Sequence, residues 1–362
     1  MTSESAETNG ANHRTFMKRA TAVAAVPAAA SLVGGFPGTA AASDSPSLPD
    51  YAPVSSTSAG PALNADGYFV GQIKGNLYWV TDSYYQAMFL TTRDGVVLVD
   101  APPTTGHNLL RAIQEVTRAN GTPSQVTHLV YSHYHADHIG AASLFGKDVV
   151  RIGHTETRRL LRIDGDPNRP EPTVTFDDHY VLHVGGERLD LAYHGPNHSP
   201  DNIFIHAPDY ATLMVVDVLF PGWAPFKGLG DSADVPAWIK AHDIALGYPW
   251  QTLVAGHLGR LGARDDATLQ KQYIADLLAS TRAAEASVDP TPFYEKYGPV
   301  GNSWAIFKAY LDAVATAAAA PVITKYTGVL GAADVFTFDN AMTMIESLRI
   351  DFGELGPFGI RP

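Results

Sequence analysis

The sequence predicts a layered α/β domain followed by a helical segment, and two observations lead to this prediction. First, short strand patterns alternate with helix patterns between residues 65 and 264, which is typical of layered α/β folds. Second, only helix patterns follow Arg264, for example "SWAIFKAYLDAVATAAAA". We therefore predict a domain over residues 65–264 and a helical C-terminal segment over residues 265–362.

The predicted domain opens with a meander of four short strands, "YFVGQI", "LYWVTD", "AMFLTT" and "VVLVDAP", separated by Gly, Asn and Asp. A helix is predicted over residues 106–121, because Leu109, Ile113 and Val116 recur at helical spacing and Gly121 is a favourable C-cap. Two further helices are predicted at 154–162 and in "VPAWIKAHDIALGY". The remaining strands are predicted in "VTHLVYS", "VVRI", "HYVLHV", "ERLDLAY", "NIFIH", "TLMVVD" and "QTLVAGH".

The pattern of charge and apolar residues over positions 1–42 indicates an export signal. The stretch "HRTFMKRA" supplies positive charge before the weakly apolar run "TAVAAVPAAASLVGG", and "TAAAS" offers a small-residue cleavage site before Ser43. The spacing around Arg14 resembles a degenerate twin-arginine signal, with His13 in place of the first arginine. The apolar run is too short and too broken to span a bilayer. We therefore predict an exported protein without a membrane span, and a linker over residues 43–64. A disordered, Ala-rich N-terminal tail is the alternative to an export signal.

Composition limits the classes of partner and of metal site. The formal net charge of −12 argues against a nucleic-acid partner, because phosphate binding requires a surplus of Lys and Arg. The chain has no cysteine, so disulfides and thiolate metal sites are excluded. Any metal must be held by His, Asp and Glu, which favour zinc, iron or manganese. The expected partner is a small-molecule substrate.

The strongest functional signal is "YSHYHADHIG", which follows a predicted strand directly. It places His133, His135, Asp137 and His138 within six positions. Histidines at positions i and i+2 of an extended turn can point to the same side and bind one metal ion. Asp137 and His138 can reach a second ion beside it. A polar turn with only local hydrogen bonds is the structural alternative.

Three further candidate ligands follow in order, each at the end of a predicted strand. They are His198 in "GPNHSPDN", Asp217 in "MVVDVLF" and His257 in "LVAGHLG". His194 is a local alternative to His198. Because these candidates complete the ligand set that two metal ions require, they favour a metal site over a polar turn.

The order His-x-His-x-Asp-His, a single His, an Asp closing a strand and a Gly-His pair resembles the metallo-β-lactamase superfamily. The resemblance covers residues 65–265 and includes the entry strand "DGVVLVDAP". The turn "HSPDN" matches the family pattern at His198, which favours that residue over His194. The resemblance implies a four-layer αββα sandwich with the site at one edge of the two sheets. The helical C-terminal extension lies outside it.

The same resemblance implies roles for the seven candidate ligands. His133, His135 and His198 would hold a first metal ion, Asp137, His138 and His257 a second, and Asp217 would bridge the two. This bridge is typical of the glyoxalase II-like and lactonase-like branches, whereas β-lactamase subclasses carry cysteine or serine at that position. The implied cofactor is two zinc ions, with iron or manganese as alternatives. Asp100 is expected to support the metal loop through hydrogen bonds.

The implied chemistry is hydrolysis by a hydroxide that bridges two metal ions, with Asp137 as the catalytic residue that orients it. We expect an exported binuclear zinc-dependent hydrolase that acts on a lactone, an ester or a related carboxyl derivative. The alternatives are a β-lactamase-like amidohydrolase, and a phosphotriesterase or thioesterase on the same scaffold. A two-iron redox protein is disfavoured, because His135 stands where that branch usually carries Glu.

The substrate pocket is predicted from aromatic residues near the ligands. Tyr85 lies in the early hairpin region, which often overhangs the site in this superfamily. In "FPGWAPFKG", Trp223 and Phe226 are candidates for an apolar wall, and Lys227 is a candidate anchor for a substrate carboxylate. Packing of a surface loop is the alternative. The C-terminal helices are expected either to cap the cleft or to mediate a homodimer.

Overall fold

The computed structural model describes residues 48–354 and 356–358. The predicted export signal, residues 1–42, and the first five residues of the predicted linker lie outside this range.

Seven of the strands form a first sheet in chain order, with β1–β4 antiparallel and β4–β7 parallel. These strands are β1 Phe69–Lys74, β2 Leu77–Thr81, β3 Gln86–Thr92, β4 Gly95–Val99, β5 Val126–Val130, β6 Val150–His154 and β7 Val174–Phe176. The predicted meander is therefore confirmed. The sequence pattern missed β7, because a three-residue strand is too short to show a period.

Five strands form a second sheet in the order β12-β11-β10-β9-β8. They are β8 His179–Val184, β9 Glu187–Tyr193, β10 Ile203–Ala207, β11 Thr212–Met214 and β12 Thr252–Val254. Neighbouring strands are antiparallel except for β11 and β12, which are parallel. The carboxyl ends of β11 and β12 therefore lie side by side at one edge of the sheet.

Helices surround the two sheets. They are α1 His107–Asn120, α2 Ala136–Ile139, α3 Thr155–Asp164, α4 Lys227–Asp231, α5 Val235–Gly247, α6 Arg264–Ser287, α7 Thr291–Tyr297, α8 Ser303–Tyr326 and α9 Ala333–Ile350. The predicted C-cap of α1 is confirmed, because Gly121 has a left-handed backbone conformation. The segment α4 is a left-handed turn at Gly228, Leu229 and Gly230 rather than a regular helix.

Three clusters of buried apolar side chains confirm the layered architecture. One lies between the two sheets and includes Val97, Ile205 and Met214. A second lies between the first sheet and α1, where Leu98 packs near Ile113. The third covers the outer face of the second sheet. Layers of helix, sheet, sheet and helix follow from this arrangement, as the predicted αββα class requires.

The C-terminal segment is helical, as predicted, but it is not a separate appendage. Its helices share the third core cluster with α5 and the second sheet, so that Tyr273, Tyr310 and Met344 belong to the same cluster as Trp238 and Leu253. Because these side chains are almost completely buried, the α/β domain and the helices form one hydrophobic core.

Part of the predicted linker packs against the domain. Ser58 is 1% exposed, and its hydroxyl donates a hydrogen bond to the carbonyl of Gly222. The backbone amide of Ala52 donates to the side chain of Asp334 at the start of α9. The described part of this segment is therefore a strap over the fold.

Helix α8 is long and apolar enough, by length and composition, to cross a membrane. It is also a core helix, because it packs between α6 and α9 and buries residues such as Leu311, Val314 and Val322. Core helices of proteins that do not span membranes meet the same criterion of length and apolarity.

Candidate metal centre

The structure brings all seven predicted ligands together at the edge of the two sheets. One group consists of His133, His135, His198 and Asp217, and a neighbouring group consists of Asp137, His138 and His257. Within each group, the potential ligand atoms lie within 4.8 Å of one another. His194 lies outside the cluster and forms a hydrogen bond with the Tyr248 hydroxyl.

The carboxylate of Asp217 contacts both groups. Its Oδ2 atom lies 3.1 Å from Nε2 of His198 and 3.5 Å from Nε2 of His133. The same oxygen is 3.1 Å from Nε2 of His138, and Oδ1 is 3.0 Å from Nε2 of His257. Asp217 therefore occupies the central position that the sequence predicted for it.

The loop after β5 is held by the strand that enters the site. Oδ1 of Asp100 accepts a hydrogen bond of 2.8 Å from the amide of Ser132, next to His133. The amide of Ala101 donates to the carbonyl of His138. These contacts give Asp100 the supporting role that the sequence predicted.

The loop that carries His198 is held by side-chain amides and by α4. Nδ1 of His198 donates a hydrogen bond of 2.7 Å to the carbonyl of Gly230, so Nε2 is free to face the cluster. Oδ1 of Asn197 accepts from the His198 amide, and Asn202 bridges Asn197 to the carbonyl of Val216. The left-handed turn of α4 thus places the carbonyl of Gly230 against Nδ1 of His198.

Asp217 and His257 meet because β11 and β12 are parallel neighbours. Each ligand comes three residues after the end of its strand. Asp217 has a positive φ of 61°, an uncommon conformation for a residue with a side chain. The indole of Trp238 donates to the Asp217 carbonyl and helps to hold this conformation. Such local strain often marks functional positions.

Gln86 supports the His257 loop, and sequence reasoning missed it. Its side-chain amide donates to three carbonyls, those of His257, Leu258 and Arg260, at 3.1, 2.7 and 2.9 Å. Its backbone amide donates to the carbonyl of Gly256. The only signal in the sequence was a glutamine at the start of an otherwise apolar strand.

The pKa values in the cluster diverge. Burial and the neighbouring histidines hold the pKa of His133 well below its usual value, and burial lowers the pKa of His135 to about 4. Burial lowers the pKa of His138, but the charge and hydrogen bond of Asp217 together with the charges of Asp137 and Asp100 outweigh it and raise this pKa to about 9. Although burial opposes its ionisation, the histidines hold the pKa of Asp217 well below its usual range. An ionised carboxylate therefore lies among imidazoles, of which at least two are neutral at pH 7.

The donor set fits metal ions. Nε2 of His133 is buried without a hydrogen-bond partner among the described residues. Nitrogens of different histidines also face each other at hydrogen-bond distance: His198 Nε2 is 3.0 Å from His135 Nδ1, and His138 Nε2 is 3.1 Å from His257 Nε2. Imidazole nitrogens around an ionised carboxylate are the ligand set of divalent metals such as zinc, which displace any proton from the imidazoles on binding.

A cleft of about 530 Å³ opens over the cluster. Of the predicted substrate residues, Tyr85 and Phe226 line this cleft, and Trp223 lines an adjoining cavity. Lys227 is exposed and lines neither cavity. Tyr84, a neighbour of Tyr85 in the same hairpin region, also lines the cleft, whereas the sequence did not identify Thr104, Phe220, Gly230, Asp231 and Leu258.

Tyr85 lies close to the second ligand group. Its ring centroid is 4.7 Å from that of His257 and 5.5 Å from that of His138. Burial, followed by the negative charge of Asp137, raises the pKa of Tyr85 to about 12. The phenol therefore stays protonated at neutral pH and can donate a hydrogen bond into the cleft.

Other proteins are similar to this chain in sequence. The chain is 25% identical over 222 residues to the 2,4-dinitroanisole O-demethylase subunit alpha of Nocardioides sp. (strain JS1661), covering 60% of this chain and 66% of that subunit, just under two thirds. It is 26% identical over 200 residues to the metallo-beta-lactamase type 2 of Elizabethkingia meningoseptica, covering 52% of this chain and 78% of that enzyme.

Solved structures with a similar fold include the metallo-beta-lactamase from Pontibacter korlensis, at 21% identity and a TM-score of 0.49. That similarity covers 57% of this chain and 97% of the solved chain. The metallo-beta-lactamase IND-7 is 22% identical with a TM-score of 0.47, covering 57% of this chain and 99% of the solved chain.

The sequence model of the metallo-beta-lactamase superfamily matches residues 80–257. This range starts in β2 and ends at the last predicted ligand, so it contains all seven residues of the cluster. Residues 80–257 of the chain belong to the metallo-β-lactamase superfamily.

Proposed function

We propose that the protein is an exported binuclear zinc hydrolase that cleaves lactones, esters or related carboxyl derivatives. The observation that carries this proposal is the central carboxylate of Asp217, which contacts histidines of both ligand groups at the floor of the cleft. The resemblance of the sequence assigns such a bridging aspartate to lactonase-like and glyoxalase II-like enzymes. The substrate class follows from that branch.

The seven ligands divide into two sets around this carboxylate. His133, His135 and His198 would hold one ion, and Asp137, His138 and His257 the other. When bound, two divalent ions supply Lewis acidity that lowers the pKa of water and polarises a carbonyl oxygen. Asn197, Asn202, Asp100 and Gln86 hold the loops that present these ligands.

Asp137 is the best placed proton carrier in the cleft. Its carboxylate is 42% exposed and lies 3.6 Å from Nε2 of His257. It can accept a proton from the attacking water, whose oxygen forms the new bond to the acyl carbon. As the acyl–oxygen bond breaks, Asp137 returns the proton to the leaving oxygen. Tyr85 can orient Asp137, because its protonated hydroxyl is a hydrogen-bond donor.

A β-lactamase-like amidohydrolase is the second candidate. The similarity to the metallo-beta-lactamase of Elizabethkingia meningoseptica favours it. Asp217 opposes it, because the resemblance assigns cysteine or serine to this position in β-lactamase subclasses. The similarity to a 2,4-dinitroanisole O-demethylase subunit adds cleavage of an aryl methyl ether as a third reaction to assay.

The test combines metal content with a substrate panel. The purified chain is analysed for metals by mass spectrometry and assayed with a homoserine lactone, an aryl ester, a chromogenic cephalosporin, a phosphotriester and 2,4-dinitroanisole. Each assay is run with and without a chelator. We expect about two zinc ions per chain and chelator-sensitive cleavage of the lactone or ester.

Other outcomes discriminate between the candidates. Cleavage of the cephalosporin alone would establish the second candidate, and cleavage of 2,4-dinitroanisole alone would establish ether cleavage. Near-zero metal content in zinc-replete medium would refute the binuclear site.

Export is the remaining element of the proposal. Residues 1–42 would direct export, and cleavage before Ser43 would release the enzyme. N-terminal sequencing of the protein from the medium or periplasm checks this. Full-length protein that remains inside the cell would contradict it.

A further inference from the structure

A second cavity of about 130 Å³ adjoins the cleft over the metal-ligand cluster, and we name it the side pocket. Four residues line both cavities, so the two are adjacent: Phe220, Phe226, His257 and Leu258. The residues that line only the side pocket are Trp223, Ala224, Ala332 and Phe336. A group bound in the side pocket would therefore lie directly beside His257.

The C-terminal segment supplies one wall of the side pocket. Ala332 precedes α9, and Phe336 lies in its first turn. The ring of Phe336 packs against that of Phe226 with centroids 5.1 Å apart. The catalytic domain alone would leave this side of the pocket open.

Backbone pairing holds the opposite wall in place. The amide of Gly331 donates to the carbonyl of Gly222, and the amide of Ala224 donates to the carbonyl of Gly331, both at 2.9 Å. The indole of Trp223 donates to the carbonyl of Ser58 in the strap. The loop before α9, the loop after Asp217 and the strap therefore fix the aromatic walls of the side pocket.

The charges around the two cavities disfavour an anionic substrate group. His257 is the only polar side chain among the described residues that line the side pocket. The lining of the main cleft includes Asp137, Asp217 and Asp231, and none of its described residues is Lys or Arg. A carboxylate placed away from the metal ligands would therefore meet no fixed positive charge.

We propose that the side pocket binds a single aromatic ring, or an apolar group of that size, belonging to a neutral ester whose carbonyl lies over the metal-ligand cluster. This inference rests on the proposed hydrolase function. The volume of the side pocket, about 130 Å³, suits a single ring, because an apolar cavity of about 150 Å³ binds benzene. Phe336 is then a specificity-determining residue that lies outside the superfamily match at 80–257. The reaction adds water across the acyl–oxygen bond and yields an acid and an alcohol or phenol.

The kinetic test uses three esters: phenyl acetate, its anionic analogue 4-acetoxybenzoate, and ethyl acetate, which lacks a ring. We expect the wild-type enzyme to prefer phenyl acetate. Phe336→Ala should lower the ratio of kcat/KM for phenyl acetate to that for ethyl acetate by about tenfold, the scale of lost apolar contacts in a binding pocket. Comparison of this ratio between variants cancels the intrinsic reactivity of each ester.

Two further variants localise the effect. Phe336→Leu retains an apolar side chain and should retain most of the ratio. Phe338→Ala alters an exposed phenylalanine of the same helix that does not line the side pocket, and it should leave the ratio at the wild-type value. Equal ratios for Phe336→Ala and Phe338→Ala, or a preference for 4-acetoxybenzoate over phenyl acetate, would overturn the proposal.

An equilibrium measurement separates this proposal from the hydrolase function. Binding of 4-fluoroacetophenone, a neutral ketone that cannot be hydrolysed, is followed by ¹⁹F NMR on the purified chain. Phe336→Ala should weaken binding about tenfold, whereas Phe338→Ala should not. Binding that depends on Phe336 in a chain that cleaves neither esters nor lactones would support the side pocket and refute the proposed function. Ester cleavage with ketone binding independent of Phe336 would refute the side pocket alone.

Discussion

The α/β domain and the C-terminal helical segment meet at one cleft but contribute different properties to it. The α/β domain supplies all seven clustered candidate ligands, five on loops that follow strands and two, Asp137 and His138, on α2. The helical segment supplies none of these ligands, but Ala332 and Phe336 wall the side pocket. One region thus holds the candidate metal ligands, and the other contributes a wall to the adjoining side pocket.

The two regions are nevertheless one structural unit. Their apolar side chains form a single core, in which Trp238 and Leu253 of the α/β domain belong with Tyr273 and Met344 of the helices. Two regions can therefore contribute different walls to one cleft without being separable domains.

Removal of the helical segment should abolish folding rather than alter substrate preference. A chain that ends at Ala263 would expose large core residues such as Trp238, Trp250 and Leu253. Exposure of each such side chain costs about 1.5–3 kcal/mol, so half a dozen cost about 9–18 kcal/mol, which is as large as a typical stability of about 5–15 kcal/mol. Thermal unfolding followed by circular dichroism checks this. A cooperative transition in the shortened chain would show that the α/β domain is independent.

Asp217→Ala should remove the central carboxylate and bring the metal content from two ions towards one ion per chain. Turnover should fall by more than about a hundredfold, because loss of an outer-shell partner alone costs 10–100-fold. Metal analysis and steady-state kinetics measure both effects. Asp209→Ala, on an exposed turn of the same sheet, is the matched control. Two tightly bound ions in Asp217→Ala would exclude a bridging role.

Protonation of His242 at acidic pH should weaken the contact between α5 of the α/β domain and α6 of the helical segment. Nδ1 of His242 donates to the carbonyl of Trp238, and Nε2 accepts from Gln270 on α6. Burial lowers the pKa of His242 from 6.5 to about 4. Above pH 6.5 the residue is neutral in both states and its full contribution is present. Between pH 6.5 and 4 the unfolded state takes up the proton first, so stability falls by about 3 kcal/mol.

The pH dependence of chemical denaturation measures this contribution. His242→Leu cannot take up the proton, so its stability should fall less between pH 6.5 and 4 than that of the wild type. The exposed His183→Leu variant should follow the wild type. Identical pH dependence in wild type and His242→Leu would contradict the assignment.

Gln86→Met should weaken only the ligand group that contains His257. The variant leaves three loop carbonyls without their donor, so we expect a tenfold to hundredfold loss of affinity for one ion. Competition with a chromophoric chelator measures it. Gln272→Met, on the exposed face of α6, is the control. Unchanged affinity for both ions would show that the hydrogen bonds of Gln86 do not contribute to metal binding.

The sequence predicted the ligand cluster well because its signals are local. "SHYHADH" places four ligand side chains on one turn, and the other three each follow an apolar strand. The supporting role of Asp100 could be predicted for the same reason, because it closes the entry strand. The residues of the substrate pocket were predicted less well than the ligand cluster. Tyr85 and Phe226 line the cleft, whereas Lys227 lies exposed on the surface.

The sequence by itself determined the alternation of strands and helices, the class of the fold and the identity of the clustered side chains. These depend on hydrophobic periodicity and on residue chemistry, both of which are local properties of the sequence. Only the tertiary structure decided that Gln86 supports the His257 loop, that His242 joins α5 to α6, and that Phe336 completes the side pocket. Each of these contacts joins residues far apart in sequence, and the packing of complete layers, rather than any local pattern, brings them together.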